Sequence, residues 1–98
     1  MSIQRLTETE LADLLSELPG WALREDGKAI VRTFRFADFN EAWGFMNRVA
    51  LLAEAQDHHP EWSNVYGRVD VTLSTHTAGG VTEKDVALAK KMEMLANS

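Results

Sequence analysis

The sequence predicts an α+β fold in the order α-β-β-α-β-β-α: a four-stranded antiparallel sheet with three helices on one face. Two observations carry that reading. Three segments place apolar residues at helical spacing, and between them lie two pairs of strand-like segments, each pair broken by a turn signal.

Each element has its own local justification. Thr7 is suited to cap a first helix in which Leu11, Leu14, Leu15 and Leu18 share a face, with Pro19-Gly20 ending it. Trp21–Glu25 and Lys28–Phe36 then flank Asp26-Gly27, a two-residue hairpin signal. The second helix starts near Asp38, where Asp38 and Glu41 resemble a capping box. Its core stripe runs through Phe39, Ala42, Trp43, Met46, Val49, Ala50 and Ala53, with Phe45 beside it, and Pro60 stops the helix around Asp57 or His58. Asn64–Tyr66 and Val69–Ser74 flank Gly67-Arg68, where glycine in the first turn position suits a type II′ hairpin. Val69, Val71 and Leu73 share one face of the last strand, and Asp70, Thr72, Ser74 and His76 share the other if it continues regularly. A third helix begins at Thr82, with Asp85 three residues later, and carries Val86, Leu88, Ala89, Met92 and Leu95.

Composition narrows the chemistry. The chain has 98 residues, 45% of them apolar and 26% charged, which fits one domain spanning 1–98 with one modest core. It has no stretch of ~20 apolar residues to span a bilayer, and its first residues lack the apolar run of a secretory signal. No membrane association and a cytoplasmic location are therefore expected. The net charge of −5 and the scattered basic residues, of which only Lys90 and Lys91 adjoin, argue against direct nucleic-acid binding. The absence of cysteine removes disulfides, thiolate nucleophiles and cysteine-ligated zinc. Histidine and carboxylate remain as the main chemical tools.

All three histidines fall between positions 58 and 76. His58 and His59 sit where a long helix gives way to an irregular turn, and His76 ends a strand beside a glycine loop. A structural role remains open, because a histidine at a helix C-terminus interacts favourably with unpaired carbonyls and the negative dipole end. A zinc site is disfavoured, since adjacent His58 and His59 project in different directions and no H-E-x-x-H spacing occurs. No Gly-x-Ser-x-Gly elbow or glycine-rich phosphate loop is present. Proton transfer is what imidazole at near-neutral pH can offer, and dehydration, enolisation and tautomerisation need only that. A helix C-terminus, with Asp57 and Glu54 nearby in sequence, suits His58 or His59 to a general-acid role.

The run Asp57-His58-His59-Pro60-Glu61-Trp62, then Asn64-Val65-Tyr66 and Val69, then Leu73-Ser74-Thr75-His76, resembles the pterin-4a-carbinolamine dehydratase family. Gly80, Thr82 and Asp85 continue the likeness. Upstream, so do Asp38-Phe39-Asn40, Gly44-Phe45-Met46 and Arg48-Val49-Ala50. The resemblance begins near Gly20-Trp21 and covers most of the chain. It implies dehydration of a 4a-hydroxytetrahydropterin to a quinonoid dihydropterin and water, in support of pterin recycling, with neither metal nor redox cofactor. It assigns catalysis to His58, His59 and His76, and makes Asp85 the carboxylate that supports them, a role compatible with capping alongside Thr82. Substrate contacts fall on Asp57, Ser74, Thr75 and Thr77, with Glu54 and Trp21 lining the site. Thr77 departs from the family, which often has a carboxylate there. The resemblance also implies a homodimer or homotetramer. A non-enzymatic interaction module on the same fold is the alternative from a different class.

Overall fold

The computed structural model describes residues 3–97. It contains α1 (Glu8–Leu15), β1 (Ala22–Leu23), β2 (Ile30–Arg35), α2 (Phe39–Gln56), β3 (Glu61–Val65), β4 (Arg68–Leu73), a 3₁₀ turn at His76–Ala78 and α3 (Glu83–Ala96). The strands form one antiparallel sheet in the order β1-β2-β4-β3, so the predicted α+β architecture holds. No helix among the described residues is long and apolar enough to cross a membrane.

The inner face of the sheet presents Ile30 and Phe34 of β2 opposite Leu73 and Val69 of β4, with Val71 between them. Against these pack Ala42, Phe45 and Val49 of α2 and Val86, Leu88, Ala89 and Met92 of α3. Phe45 is central: its ring lies 4.8 Å from that of Phe34 and 4.9 Å from that of Phe36. Leu11 and Leu18 close one end of this core. Helix α1 is shorter than its leucine spacing suggests. It stops at Leu15, and tighter turns carry Leu18 into the core, with the Leu18 N–H donating to Leu15 O.

The core face of α2 differs from the predicted stripe. Phe39 and Trp43 are 53% and 56% exposed and stack on one another at 6.4 Å, while Phe45, placed beside the stripe, is fully buried. Positions 42, 45, 49 and 53 form the buried row, which rotates the two upstream aromatics off the sheet. At the N-terminus the Glu41 N–H donates to Asp38 Oδ1, but the Glu41 carboxylate reaches back to the Ala37 N–H rather than to that of Asp38.

Both hairpins shift relative to their turn signals. In the first, the Gly27 N–H donates to Arg24 O, so Asp26-Gly27 fill the last two positions of a four-residue turn instead of its centre. Gly27 takes φ +73, and Arg24 together with the Lys28 N–H holds the Asp26 carboxyl below the ordinary carboxylate range. In the second, the turn is Tyr66-Gly67, not Gly67-Arg68. Tyr66 accepts the left-handed conformation at φ 51, and Asn64 Nδ2 donates to the carbonyls of both Tyr66 and Arg68. Glycine is required at 67 for space: a Cβ there would lie 2.4 Å from Phe36 O. The strand limits move accordingly, with β3 beginning earlier, at Glu61, and β1 shrinking to two residues.

Helix α2 ends in a Schellman arrangement. Asp57 is left-handed at φ 52, its N–H donates to Glu54 O, and the His58 N–H donates to Ala53 O. This reversal turns the chain from the helix into the His58–Pro60 segment.

Two substitutions test these turns by chemical denaturation. Gly67→Ala should cost about 2 kcal/mol or more, because the atom it meets is backbone and cannot swing aside. Asp57→Gly should hold or raise stability, by up to ~1 kcal/mol, since glycine adopts the left-handed cap without penalty.

Candidate active site

Joint action of the three histidines requires segment 57–61, after α2, to meet segment 74–76, after β4. Antiparallel pairing brings them to one end of the sheet, because Glu61 at the start of β3 faces Thr72 near the end of β4. Two side-chain links then join the segments. His76 Nε2 lies 2.7 Å from Glu61 Oε1, and His58 Nε2 lies 2.6 Å from Asp85 Oδ1, whose other oxygen accepts from the Thr75 hydroxyl at 2.9 Å. His59 has a separate carboxylate: its Nε2 is 2.5 Å from Glu54 Oε1, on the last turn of α2.

The three imidazoles therefore share one pattern. Each engages a carboxylate through Nε2, and among the described residues no Nδ1 has a hydrogen bond. A carboxylate at Nε2 places the ring proton there and leaves Nδ1 as the nitrogen open to a ligand. The pairs differ in burial. The side chains of His58 and Asp85 are 10% and 0% exposed, whereas those of His59 and Glu54 are 53% and 78%, and those of His76 and Glu61 are 80% and 59%. The site thus has one fixed ring and two solvated ones.

His76 sits where β4 has already ended. The strand stops at Leu73, Thr75 bridges to Gly80, and His76 opens a 3₁₀ turn closed by Gly79 at φ +75. It does not share the outer strand face with Asp70 and Thr72, as a regular continuation would require. Arg5 holds the far side of this loop, with its guanidinium within 3.5 Å of Gly79 O and its stem where a Cβ of Gly80 would fall.

The other expected site residues divide. Asp57 and Thr77 are exposed at the same end of the sheet. Ser74 is half-buried and donates to Lys28 O, tying β4 to the first hairpin. Thr75 does not offer its hydroxyl outward: it is 7% exposed, and the hydroxyl is held between Asp85 and Thr82. Trp21 joins a different cluster. It is 5% exposed, packs edge-on against Phe34, and its indole N–H donates to Glu93, which also binds Arg32. Asp85 is the third residue of the α3 capping box and the partner of His58 at once, so capping does not prevent it from contacting a histidine.

Sequence reasoning missed Glu61 and Thr82 as site components. Glu61 lies within the motif run, but its pairing with His76 depends on strand register. Thr82 reads as a helix cap within the family likeness, with no role of its own at the site.

Two hollows lie away from the histidines. A groove of about 500 Å³ is lined by Phe36, Trp43, Gly44 and Arg48, and one of about 270 Å³ lies between α1 and the first hairpin; neither includes a histidine. Among the described residues no three histidine, aspartate or glutamate side chains are grouped to hold a metal ion.

The family model described as pterin 4 alpha carbinolamine dehydratase matches residues 4–95. A provisionally named pterin-4-alpha-carbinolamine dehydratase of Novosphingobium aromaticivorans is 67% identical over 93 residues, covering 95% of this chain and 97% of its own. One from Rhizobium johnstonii is 57% identical over 96 residues, covering 98% and 95%. The crystal structure of a transcriptional coactivator/pterin dehydratase from Brucella melitensis superimposes with a TM-score of 0.93 at 53% identity, covering 95% of this chain and 99% of that one. A pterin dehydratase-like protein that is a RuBisCO assembly factor in the alpha-carboxysome superimposes with a TM-score of 0.69 at 25% identity, covering 81% and 92%. With the match spanning nearly every described residue, this chain belongs to the pterin-4a-carbinolamine dehydratase family.

Proposed function

We propose that the protein dehydrates a 4a-hydroxytetrahydropterin, such as that of tetrahydrobiopterin, by histidine general acid–base catalysis and so supports pterin recycling. The observation that carries this reading is the gathering of three imidazoles at one end of the sheet, each held through Nε2 and each with Nδ1 unengaged. Loss of water from the carbinolamine breaks the C4a–O bond and forms a C4a=N5 double bond. One imidazolium protonates the departing hydroxyl, and a neutral imidazole accepts the N5 proton, so the products are the quinonoid dihydropterin and water. The solvated His59 and His76 reach the substrate from the rim, and His58 forms a fixed floor. Asp57 and Glu54 supply carboxylates for the N–H donors of the pyrimidine ring, with Thr77 at the edge. Trp21 and Thr75 act through packing and hydrogen bonds inside the protein rather than by touching the pterin. We place this reaction in the cytoplasm, within one domain.

A second copy of the chain is the partner we infer. On α2, Phe39, Trp43 and Leu51 are 53%, 56% and 69% exposed, and β3 leaves one edge of the sheet unpaired. This surface is also what favours the second reading, an interaction module, and the two readings separate on turnover.

Alanine at His58, His59 or His76 should each lower the dehydration rate by about 10²-fold or more. Stability separates them: His58→Ala strands the buried Asp85 and should cost on the order of 3 kcal/mol, while His59→Ala and His76→Ala should stay within about 0.5 kcal/mol of the parent. Wild-type rates in folded His59→Ala and His76→Ala would rule out the histidine mechanism, and a parent without turnover would rule out the enzyme reading. Asp57→Gly should fold normally and turn over more slowly. By light scattering, the parent should be a dimer or tetramer and Trp43→Glu a smaller species; a monomeric parent would refute the self-association.

A further inference from the structure

Three polar side chains are fully or nearly buried among the described residues, Thr75, Thr82 and Asp85, and all three belong to one network. Counting protons gives that network a direction. Asp85 as a carboxylate only accepts. The single hydroxyl proton of Thr75 goes to Asp85 Oδ2 at 2.9 Å, so the 2.7 Å contact between Thr75 and Thr82 must be a donation from Thr82. The Thr82 oxygen in turn accepts the Lys84 N–H, and the Thr82 N–H donates to the same Asp85 Oδ2 at 2.9 Å. Oδ2 is thereby held by two donors, and Oδ1 is turned to His58 Nε2 at 2.6 Å. The backbone of Thr75 is also engaged, its N–H donating to Gly80 O and its carbonyl accepting from Ala78 and Gly80.

We propose that Thr75 and Thr82 are positioning residues for the dehydration: by holding Asp85 Oδ2 they fix Oδ1 on His58 Nε2, and so set Nδ1 as the His58 nitrogen that exchanges a proton with substrate. The inference rests on the dehydratase reading for what His58 does, but not for how its ring is held. It changes the role of Thr75 from substrate contact to internal support, and it gives Thr82, a helix cap within the family likeness, a role at the site. The N-terminus of α3 contributes as well, since its unpaired N–H groups favour a carboxylate at this position. Removing the Thr75 hydroxyl leaves Oδ2 with the Thr82 N–H alone, and removing the Thr82 hydroxyl takes away the donor that orients the Thr75 hydroxyl. Either change slackens the carboxylate and the ring without exposing them.

The test combines ¹⁵N NMR of the imidazoles with steady-state kinetics. In the parent protein the neutral His58 ring should carry its proton on Nε2. Thr75→Val and Thr82→Val should mix that tautomer with the Nδ1–H form and lower kcat by about tenfold, with KM within about twofold. Thr75→Ser and Thr82→Ser, which keep the hydroxyl, should restore kcat to within about threefold and return the parent tautomer. An Nδ1–H ring in the parent, or valine variants with parental tautomer and kcat, would overturn the proposal. Should a valine variant fail to fold, the parent tautomer and the serine variants decide it. A parent without turnover would refute the dehydratase reading alone, because the tautomer measurements still report on the positioning.

Discussion

The contact on which the rest of the site depends is that between Asp85 and His58. A wholly buried carboxylate is costly to desolvate and persists only where its oxygens are satisfied. Here it is satisfied by three elements at once: the first turn of α3, the segment after β4 through Thr75, and the segment after α2 through His58. One carboxylate thus fastens together the chain ends that carry all three histidines. The hydrophobic core beneath it, centred on Phe45, Val71 and Leu73, sets where those ends emerge but not how they are oriented.

The outer two pairs obey different energetics. Histidine–glutamate contacts as exposed as His59–Glu54 and His76–Glu61 contribute little to stability and exchange readily with water. On the proposed reading this arrangement divides labour between a buried ring where geometry must be held and two solvated rings where protons and substrate would arrive and leave.

Much of the architecture is legible in residue patterns, and the reasons are local. Thr7, Asp38 and Thr82 all cap helices where their side-chain chemistry and the following acidic residue suggest, and Val69, Val71 and Leu73 share a buried face as their alternation requires. Legibility ends where a choice depends on distant partners. Which of two adjacent positions takes the turn at 66–67 is decided by the approach of Phe36 O. Whether Trp43 or Phe45 faces the core depends on the rotation of α2 over the sheet. Trp21 is drawn to Glu93, 72 positions along the chain. At the site, the histidines stand out by type and clustering, and family resemblance assigns their roles. The pairing of Glu61 with His76 and the inward turn of Thr75 need the strand register, which no short motif encodes.

The most direct test is the structure of the protein bound to a reduced pterin that lacks the 4a-hydroxyl and so cannot react. The pterin ring should lie at the β3–β4 end of the sheet, with N5 within hydrogen-bonding reach of Nδ1 of one of His58, His59 and His76 and with C4a facing Nδ1 of a second. A pterin bound instead in the groove beside Trp43 and Arg48, with the three imidazoles still on their carboxylates, would contradict the histidine mechanism.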